Sequence, residues 1–469
     1  MPPSISSAPP RSRPNRFVTY YVTNRGSWIR GGLSLFALGL APGSASGAEV
    51  WTLDQALATA VKNSPDARIA RQRVAGAQAM IEQAQAAWYP QVSMQGRYLE
   101  TNSPMMAFGS ILNQRAFNFG LDFNHPGRID DLNATAAVGY NIYSGGRASA
   151  GREAARGGAL AAEQDYRAAR QQLAAEVVKA WLNIRKAREA VAAVEAGVKA
   201  YTAAVDAARA RFEAGQLLKA DLLSLEVQRA QTQENLAMAR HGAALAERAL
   251  RFTLGLDAAG EAIELPADDP ALARLTLPET RDFSRRPELV GLEERVRAAE
   301  AMVRAARGAR QPTVNAFASY QYDHGWQLDR GADSWMAGVA VDLNVFDGGQ
   351  TSGKIRQATA ELEQVKEMLR KATLGLSLEV EQAHLAHDEA VERLAVSAQT
   401  VEQAGESAAL SRARFEKGAL LAADLIGVES RLIEARMRRA VAAADERLAL
   451  TEWRRALGLP PVDQSPTQP

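Results

Sequence analysis

Cysteine is absent from the 469 residues, which excludes disulfides, thiolate metal sites, a catalytic thiol and a lipidated N-terminal cysteine. An excess of either charge is also missing. Lys and Arg number 55 and Asp and Glu 54, so no broad basic field invites nucleic acid. Beyond residue 48 no stretch approaches the roughly 18 unbroken apolar residues of a transmembrane helix. If the mature chain crosses a membrane, strands must carry it. Catalytic signatures are lacking as well: no phosphate loop, no glycine-rich nucleotide turn after a strand, no serine of the nucleophile-elbow kind. The many carboxylates interleave with Arg and Lys, as on a solvated helix face. The expectation is a protein without enzymatic activity, cofactor or resident metal.

Residues 1–48 stand apart from the rest. They carry Arg11, Arg13, Arg16, Arg25 and Arg30 with no acidic residue, then a short apolar run from Gly31 to Ala41 and small residues up to Ala48. A basic region, an apolar segment too short to span a bilayer and a small-residue cleavage site describe a secretory signal peptide. A disordered basic tail is the alternative.

The remainder repeats itself. Gly215–Glu226 and Gly418–Glu429 share seven of twelve residues at an offset of 203. The same offset carries Arg211-Phe212-Glu213 onto Arg414-Phe415-Glu416, Gly145-Gly146 onto Gly348-Gly349, and Leu254-Gly255-Leu256 onto Leu457-Gly458-Leu459. Near the front of each half the offset is 222, matching Pro65 with Pro287 and Pro90 with Pro312. An insertion between Pro90 and Gly145 in the first half accounts for the difference. Self-similarity over such a period marks a duplicated architectural unit. Each half reads as helix, two strands, long helix, tight turn, shorter helix.

The long helices announce themselves by spacing. Val177, Trp181, Ile184, Ala187, Val191, Val194, Val198, Tyr201, Val205, Ala208 and Phe212 recur at a mean step near 3.5 residues, a coiled-coil period. No proline interrupts Arg147 to Glu213, which gives about 100 Å of helix at 1.5 Å per residue. A rod of that length needs other long helices as partners. Gly215 and Gly418 supply the left-handed position that ends a helix, so each rod folds back into an antiparallel hairpin.

Four segments alternate with period two: Val92, Met94, Gly96 and Tyr98; Ala136, Val138, Tyr140 and Ile142; Val314, Ala316, Ala318, Tyr320 and Tyr322; Trp335, Ala337, Val339, Val341, Leu343 and Val345. One apolar face per strand at about ten residues suits tilted membrane-spanning strands. Trp88, Tyr89, Tyr143, Trp335 and Phe346 fall near the expected strand ends, where an aromatic girdle belongs. Ser144 and Asp347 are placed as N-caps of the following helices. Four strands cannot close a membrane barrel, whose smallest form has about eight. Copies must therefore pool strands, and the arithmetic admits two, three or four.

In these features the sequence resembles the TolC-type outer-membrane efflux proteins. The tandem halves, the Tyr143–Gly146 and Phe346–Gly349 strand-to-helix junctions and the two Arg-Phe-Glu-x-Gly turns carry the likeness, from about Glu49 to Pro460. The resemblance implies an α+β membrane protein: a homotrimer with a long α-helical barrel under a twelve-stranded β-barrel, four strands per chain, in two tandem structural repeats. The expected layout is a signal peptide at 1–48 and a first repeat at 49–256, with strands 90–101 and 134–144, long helix 145–213 and helix 217–256. A linker at 257–286 forms an equatorial belt. The second repeat is 287–460, with strands 312–323 and 334–346, long helix 348–416 and helix 420–458, and a disordered tail follows at 461–469. Asn102 to Ala134 would be an extracellular loop, whose Ser103–Gly109 and Asp122–Gly127 resemble a loop in some members.

The likeness further implies an outer-membrane location reaching into the periplasm, surrounded by outer-membrane lipid. The partners would be a periplasmic adaptor (membrane fusion) protein and an inner-membrane pump of RND or ABC type. The chain would be the exit duct of a small-molecule efflux system, or alternatively of a type I protein secretion system. A periplasmic coiled-coil scaffold without transport is the different-class rival. Arg211, Phe212, Gly215, Leu217, Arg414, Phe415, Gly418 and Leu420 would form adaptor-docking tips. Asp221 and Asp424 would line the pore constriction, or simply favour a helix N-terminus. Some relatives carry a second acid three residues on, where this chain has Gly427. His384 and His387, with Glu381 one turn before, could hold a metal. By the 203 offset they match Trp181 and Ile184, so they read as packing residues with satisfied ring nitrogens.

Overall fold

The computed structural model describes residues 50–122, 124–257, 263–266 and 269–462. The expected signal peptide at 1–48 lies outside them, as does all of the 461–469 tail except Pro461 and Val462. Val462 is buried in the main core.

The elements run α1 (Leu53–Asn63), α2 (Pro65–Gln85), β1 (Gln91–Thr101), α3 (Pro104–Asn113), β2 (Ile129–Tyr143), α4 (Arg147–Glu213) and α5 (Lys219–Thr253). The second half runs α6 (Pro270–Ala273), α7 (Pro287–Gly308), β3 (Thr313–Gly325), β4 (Arg330–Asp342), α8 (Gln350–Glu416) and α9 (Ala422–Ala456). Both α4 and α8 are 67 residues long, and α5 and α9 are 35 each. Among the described residues no helix is long and apolar enough to cross a membrane.

The strands form one antiparallel sheet in the order β1-β2-β3-β4, leaving β1 and β4 at the edges. The register lines up the side-chain alternation across all four. Met94, Ala136, Tyr320 and Trp335 stand in one row; Gln95, Thr135, Gln321 and Ser334 stand in the next. Successive rows point to opposite faces, so one face is apolar and the other polar across the sheet. A membrane barrel needs such a lipid face and such a lumen face.

Two strands differ from expectation by more than two residues at an end. The fourth strand is Arg330–Asp342, where 334–346 was expected. The last pair is Thr313 with Asp342, and Pro312 before it has no N–H to extend the ladder. Leu343 to Phe346 therefore leave the sheet, and Trp335 sits inside the strand opposite Tyr320 instead of at its end. The second strand begins at Ile129, five residues earlier than expected, because it pairs with β1 out to Thr101. The intervening loop is correspondingly shorter and holds α3.

At each strand-to-helix junction the two glycines take positive φ, 66° and 78° at Gly145 and Gly146, 64° and 90° at Gly348 and Gly349. The N-cap position is thus the second glycine, not Ser144 or Asp347. Those side chains still serve the helix from farther back. Ser144 Oγ accepts from the Ala148 amide at 3.1 Å, and the Asp347 carboxylate from Gly349 and Thr351 at 3.0 and 2.7 Å. A Cβ on Gly145 would lie 2.4 Å from the Gly308 carbonyl oxygen, because the junction is pressed onto the end of α7. Gly145→Ala is therefore expected to destabilise the protein by about 2 kcal/mol or more, combining the left-handed penalty with a backbone clash. Gly146→Ala meets nothing within 4 Å and should carry only the first cost. Thermal unfolding of the two variants checks the difference.

The main core lies mid-rod. Leu53, Ala56 and Ala60 of α1, Val177, Trp181 and Ile184 of α4, and Leu250 and Leu254 at the end of α5 pack with Ile263 and Leu272 of the belt segment. Asp269 pins that segment, accepting from the Ala271 amide at 2.9 Å and from the Leu53 amide at 3.0 Å. Arg286, fully buried, is neutralised by Glu288 and by Glu379 of α8 at 2.8 and 2.7 Å. A buried guanidinium needs such partners.

The two repeats are treated unequally by their surroundings. α4 is flanked by α2 and α5 from its own half and by α7 and α9 from the other. α8 packs along α7 and α9, the counterparts of α2 and α5. Its remaining flank is apolar and open. Leu385 is 59% exposed while its counterpart Leu182 is 4% exposed, and Leu378 is 58% exposed against 2% for Ala175.

Candidate functional site

The end of the rods opposite the sheet is a compact tip made by both hairpins. Gly215 and Gly418 turn the chain at φ of 73° and 78°. At each turn the amide four residues after the Arg-Phe pair closes back on the helix: Gln216 N–H donates to Arg211 O and Ala419 N–H to Arg414 O, both at 2.8 Å. Leu218 and Leu421 then leave the turns in extended conformation, and α5 and α9 begin.

Between the hairpins lies a small core of Tyr201, Val205 and Ala208 from α4, Leu222 and Leu225 from α5, Phe415 from α8, and Ala422 and Leu425 from α9. Polar links cross the same seam. Tyr201 Oη donates to Ile426 O at 3.0 Å and shares a hydrogen bond with Ser430 Oγ at 2.9 Å. Burial pushes its phenol above the ordinary value despite the Ser430 contact. Arg211 Nη1 donates to Phe415 O at 2.9 Å, and its guanidinium lies 5.3 Å over the Phe415 ring. Within the second hairpin, buried Glu429 accepts from Arg412, with Nη2 at 2.8 Å.

The sequence-predicted tip residues thus divide. Phe212, Gly215, Arg414 and Gly418 are exposed, Arg211 is half-buried, and Leu217 and Leu420 are half-buried against the tip core. Phe415 is 1% exposed, its ring enclosed within the tip core. Leu218 and Leu421 are the leucines that face outward. Asp221 and Asp424 occupy the first turns of α5 and α9, Asp424 exposed and Asp221 half-buried. Both sit where a carboxylate favours a helix N-terminus.

A family model described as "outer membrane efflux protein" matches residues 56–256 and 283–459, most of the chain. The chain belongs to this family. Outer membrane protein OprJ of Pseudomonas aeruginosa is 29% identical over 269 residues, 55% of either chain. Outer membrane efflux protein BepC of Brucella suis is 28% identical over 205 residues, 41% of this chain and 42% of that one. The chain thus matches about half the length or less of these two relatives. A solved structure of CusC, described as forming a transmembrane channel, superposes with a TM-score of 0.75 at 17% identity, covering 90% of this chain and 95% of that one.

In this outer membrane efflux protein, one expectation about polar groups needs amending. His384 and His387 do pack: the His384 ring stacks on Trp453 at 4.7 Å and the His387 ring lies tilted against it at 5.4 Å. Their Nδ1 atoms, expected to be satisfied, find no hydrogen bond among the described residues; Asp388 stands 3.7 Å from each. Tyr201, Ser430, Arg412 and Glu429 were not singled out from sequence. Tyr201 was visible only as one member of the apolar stripe, and nothing local signals that its hydroxyl reaches another hairpin 225 residues away.

Proposed function

We propose that three copies of the chain close into one duct across the outer membrane and periplasm, which passes small molecules outward when docked to a periplasmic adaptor and an inner-membrane pump. The observation that carries this reading is a shortage that recurs at two levels. The sheet ends in free edges at β1 and β4, and α8 has an open apolar flank where α4 has α7 and α9. One head-to-tail contact supplies both: β4 pairs with the next copy's β1, and α8 takes the next copy's α2 and α5. An unpaired edge is not tolerated in lipid, so closure is obligatory there. Membership of the efflux family supports three copies and outward passage. The duct is passive; the pump supplies the energy.

The tip is the natural constriction, since all hairpins converge there. Three copies of Asp424 concentrate negative potential in a narrow throat. The second acid seen in some relatives is Gly427 here, and Arg431, seven residues after Asp424, brings a positive charge onto the same helix face. A modest cation preference follows. Asp424→Ala should move the reversal potential in a salt gradient toward zero in planar bilayers. An unaltered reversal potential removes Asp424 from the constriction. The docking surface for the adaptor is assigned to Phe212, Arg414, Leu218 and Leu421 around the two glycine turns, with Arg211, Leu217 and Leu420 supporting them from below.

A further inference from the structure

The connection between β1 and β2 plays no part in the duct as described. It leaves the sheet at Thr101 and returns at Ile129, at the end away from the long helices, which is the outer mouth of the barrel. One face of its helix α3, formed by Ala107, Ser110, Ile111 and Gln114, is buried. Ser110 Oγ donates to Asp131 Oδ2 at 3.3 Å, and Gln114 Nε2 donates to Asp130 O at 2.8 Å and Asp131 Oδ1 at 3.3 Å. The Asp130 carboxylate in turn accepts from the Trp326 and Gln327 amides at 2.9 and 2.8 Å, which fastens the β3–β4 turn to the same strand. Arg115 Nη2 reaches the Asp333 carbonyl at 3.1 Å, on the edge strand β4.

These contacts tell which side of the sheet α3 occupies. Asp131 belongs to the polar face, as do Ile129 before it and Asp323 and Ala332 across the ladder, and all four are buried. Gly325, on the same face of β3, approaches Gln114 so closely that a Cβ would meet its side chain at 2.3 Å. Leu132, on the apolar face, is exposed. So α3 lies against the lumen wall and not over lipid. Its opposite side is apolar and open: Met105 is 80% exposed, Leu112 is open, and Phe117 and Phe119 stack edge-to-face at 5.3 Å beyond its end. Large apolar side chains grouped in the open mark a surface that another molecule covers.

The barrel leaves little room for it. Twelve tilted strands about 4.8 Å apart enclose a radius of about 12 Å, and a helix with side chains is about 10 Å thick. A helix against the wall therefore reaches nearly to the axis. We propose that the α3 helices of three copies meet there through Met105 and Leu112 and form an apolar constriction at the outer mouth, a second gate in series with the tip. This rests on the three-copy duct. Apolar throats gate by expelling water, which polar substitution reverses.

The absence of native cysteine makes the test clean. Met105→Cys and Leu112→Cys trimers are exposed to an oxidant beside Met336→Cys, whose side chain lies on the polar face of β4 opposite Ser319. Wall positions in three copies are about 20 Å apart on a barrel of this size, beyond the roughly 7 Å that a disulfide spans. Disulfide-linked dimers at Met105 or Leu112 and none at Met336 are expected. The Met105→Asp/Leu112→Asp double variant is then compared in channels opened at the tip by Phe415→Ala, where its single-channel conductance should rise at least twofold. Cross-linking at neither position, or unchanged conductance, overturns the outer gate. In trimers that still conduct, either result leaves the duct itself standing.

Discussion

Replacing Leu378 and Leu385 together by aspartate is expected to abolish the trimer and leave the chain out of the outer membrane. Both side chains lie on the side of α8 opposite its buried stripe, and the equivalent residues of α4, Ala175 and Leu182, are almost fully buried by α4's additional partners. If the ring supplies the same partners to α8, each large side chain gains burial worth about 1.5–3 kcal/mol on assembly. An aspartate there forfeits that gain and adds the cost of an unpaired carboxylate in an apolar seam, several kcal/mol more. The effect recurs at three interfaces, so the assembly constant should fall by many orders of magnitude. Leu378→Met with Leu385→Met keeps volume and polarity and should keep the trimer. Gel mobility without heating, with fractionation of the membranes, reads both. A double-aspartate protein that still runs as an outer-membrane trimer would put this flank on the outside and end the head-to-tail ring.

Phe415→Ala should loosen the tip far more than Phe212→Ala, although the two residues occupy equivalent places in the repeat. Phe415 is 1% exposed in the core shared by both hairpins, whereas Phe212 is 38% exposed. Truncating a buried Phe costs about 3–5 kcal/mol, while a surface change usually stays within about 0.5 kcal/mol. The loss also removes the ring beneath Arg211, weakening a link that ties the first hairpin to the second. The second hairpin should then separate more readily from the first, raising leak conductance in bilayers and amide exchange between Ala422 and Ser430. Phe212→Ala should leave both close to the parent and instead weaken adaptor capture. Equal effects of the two substitutions would mean that the tip core does not hold the hairpins together.

Much of the architecture is legible in the residues because it depends on chain neighbours. The 3.5-residue stripe from Val177 to Phe212 specifies a long partnered helix wherever it ends up. Gly215 and Gly418 end their helices through a backbone conformation that other residues resist. Alternation along β1 to β4 fixes two chemically distinct faces, although not the exact ends. Proline at 312 was visible in the sequence, but its effect falls on β4, the strand paired beyond it, and shifts that strand's end from Phe346 to Asp342. His384 and His387 were readable as packing residues from the offset alone, while the state of their nitrogens depends on what Trp453 leaves within reach.

Patterns between chain neighbours are enough to specify the duplicated helix–strand–strand–helix unit, the lack of any apolar run of membrane-helix length beyond residue 48 and the need for copies to share strands if those strands cross a membrane. Long-range packing selects which of two identical motifs is buried, which long helix keeps an open flank, and that α3 lies on the polar face of the sheet. The reason is that duplicated segments carry the same local code yet cannot have the same neighbours. The first repeat is followed in space by the second of its own chain, and the second must find its neighbour elsewhere. Burial at Phe415, exposure at Leu385 and the Ser110–Asp131 contact all follow from that inequality or from a partner distant in the chain, and no window of the sequence contains it.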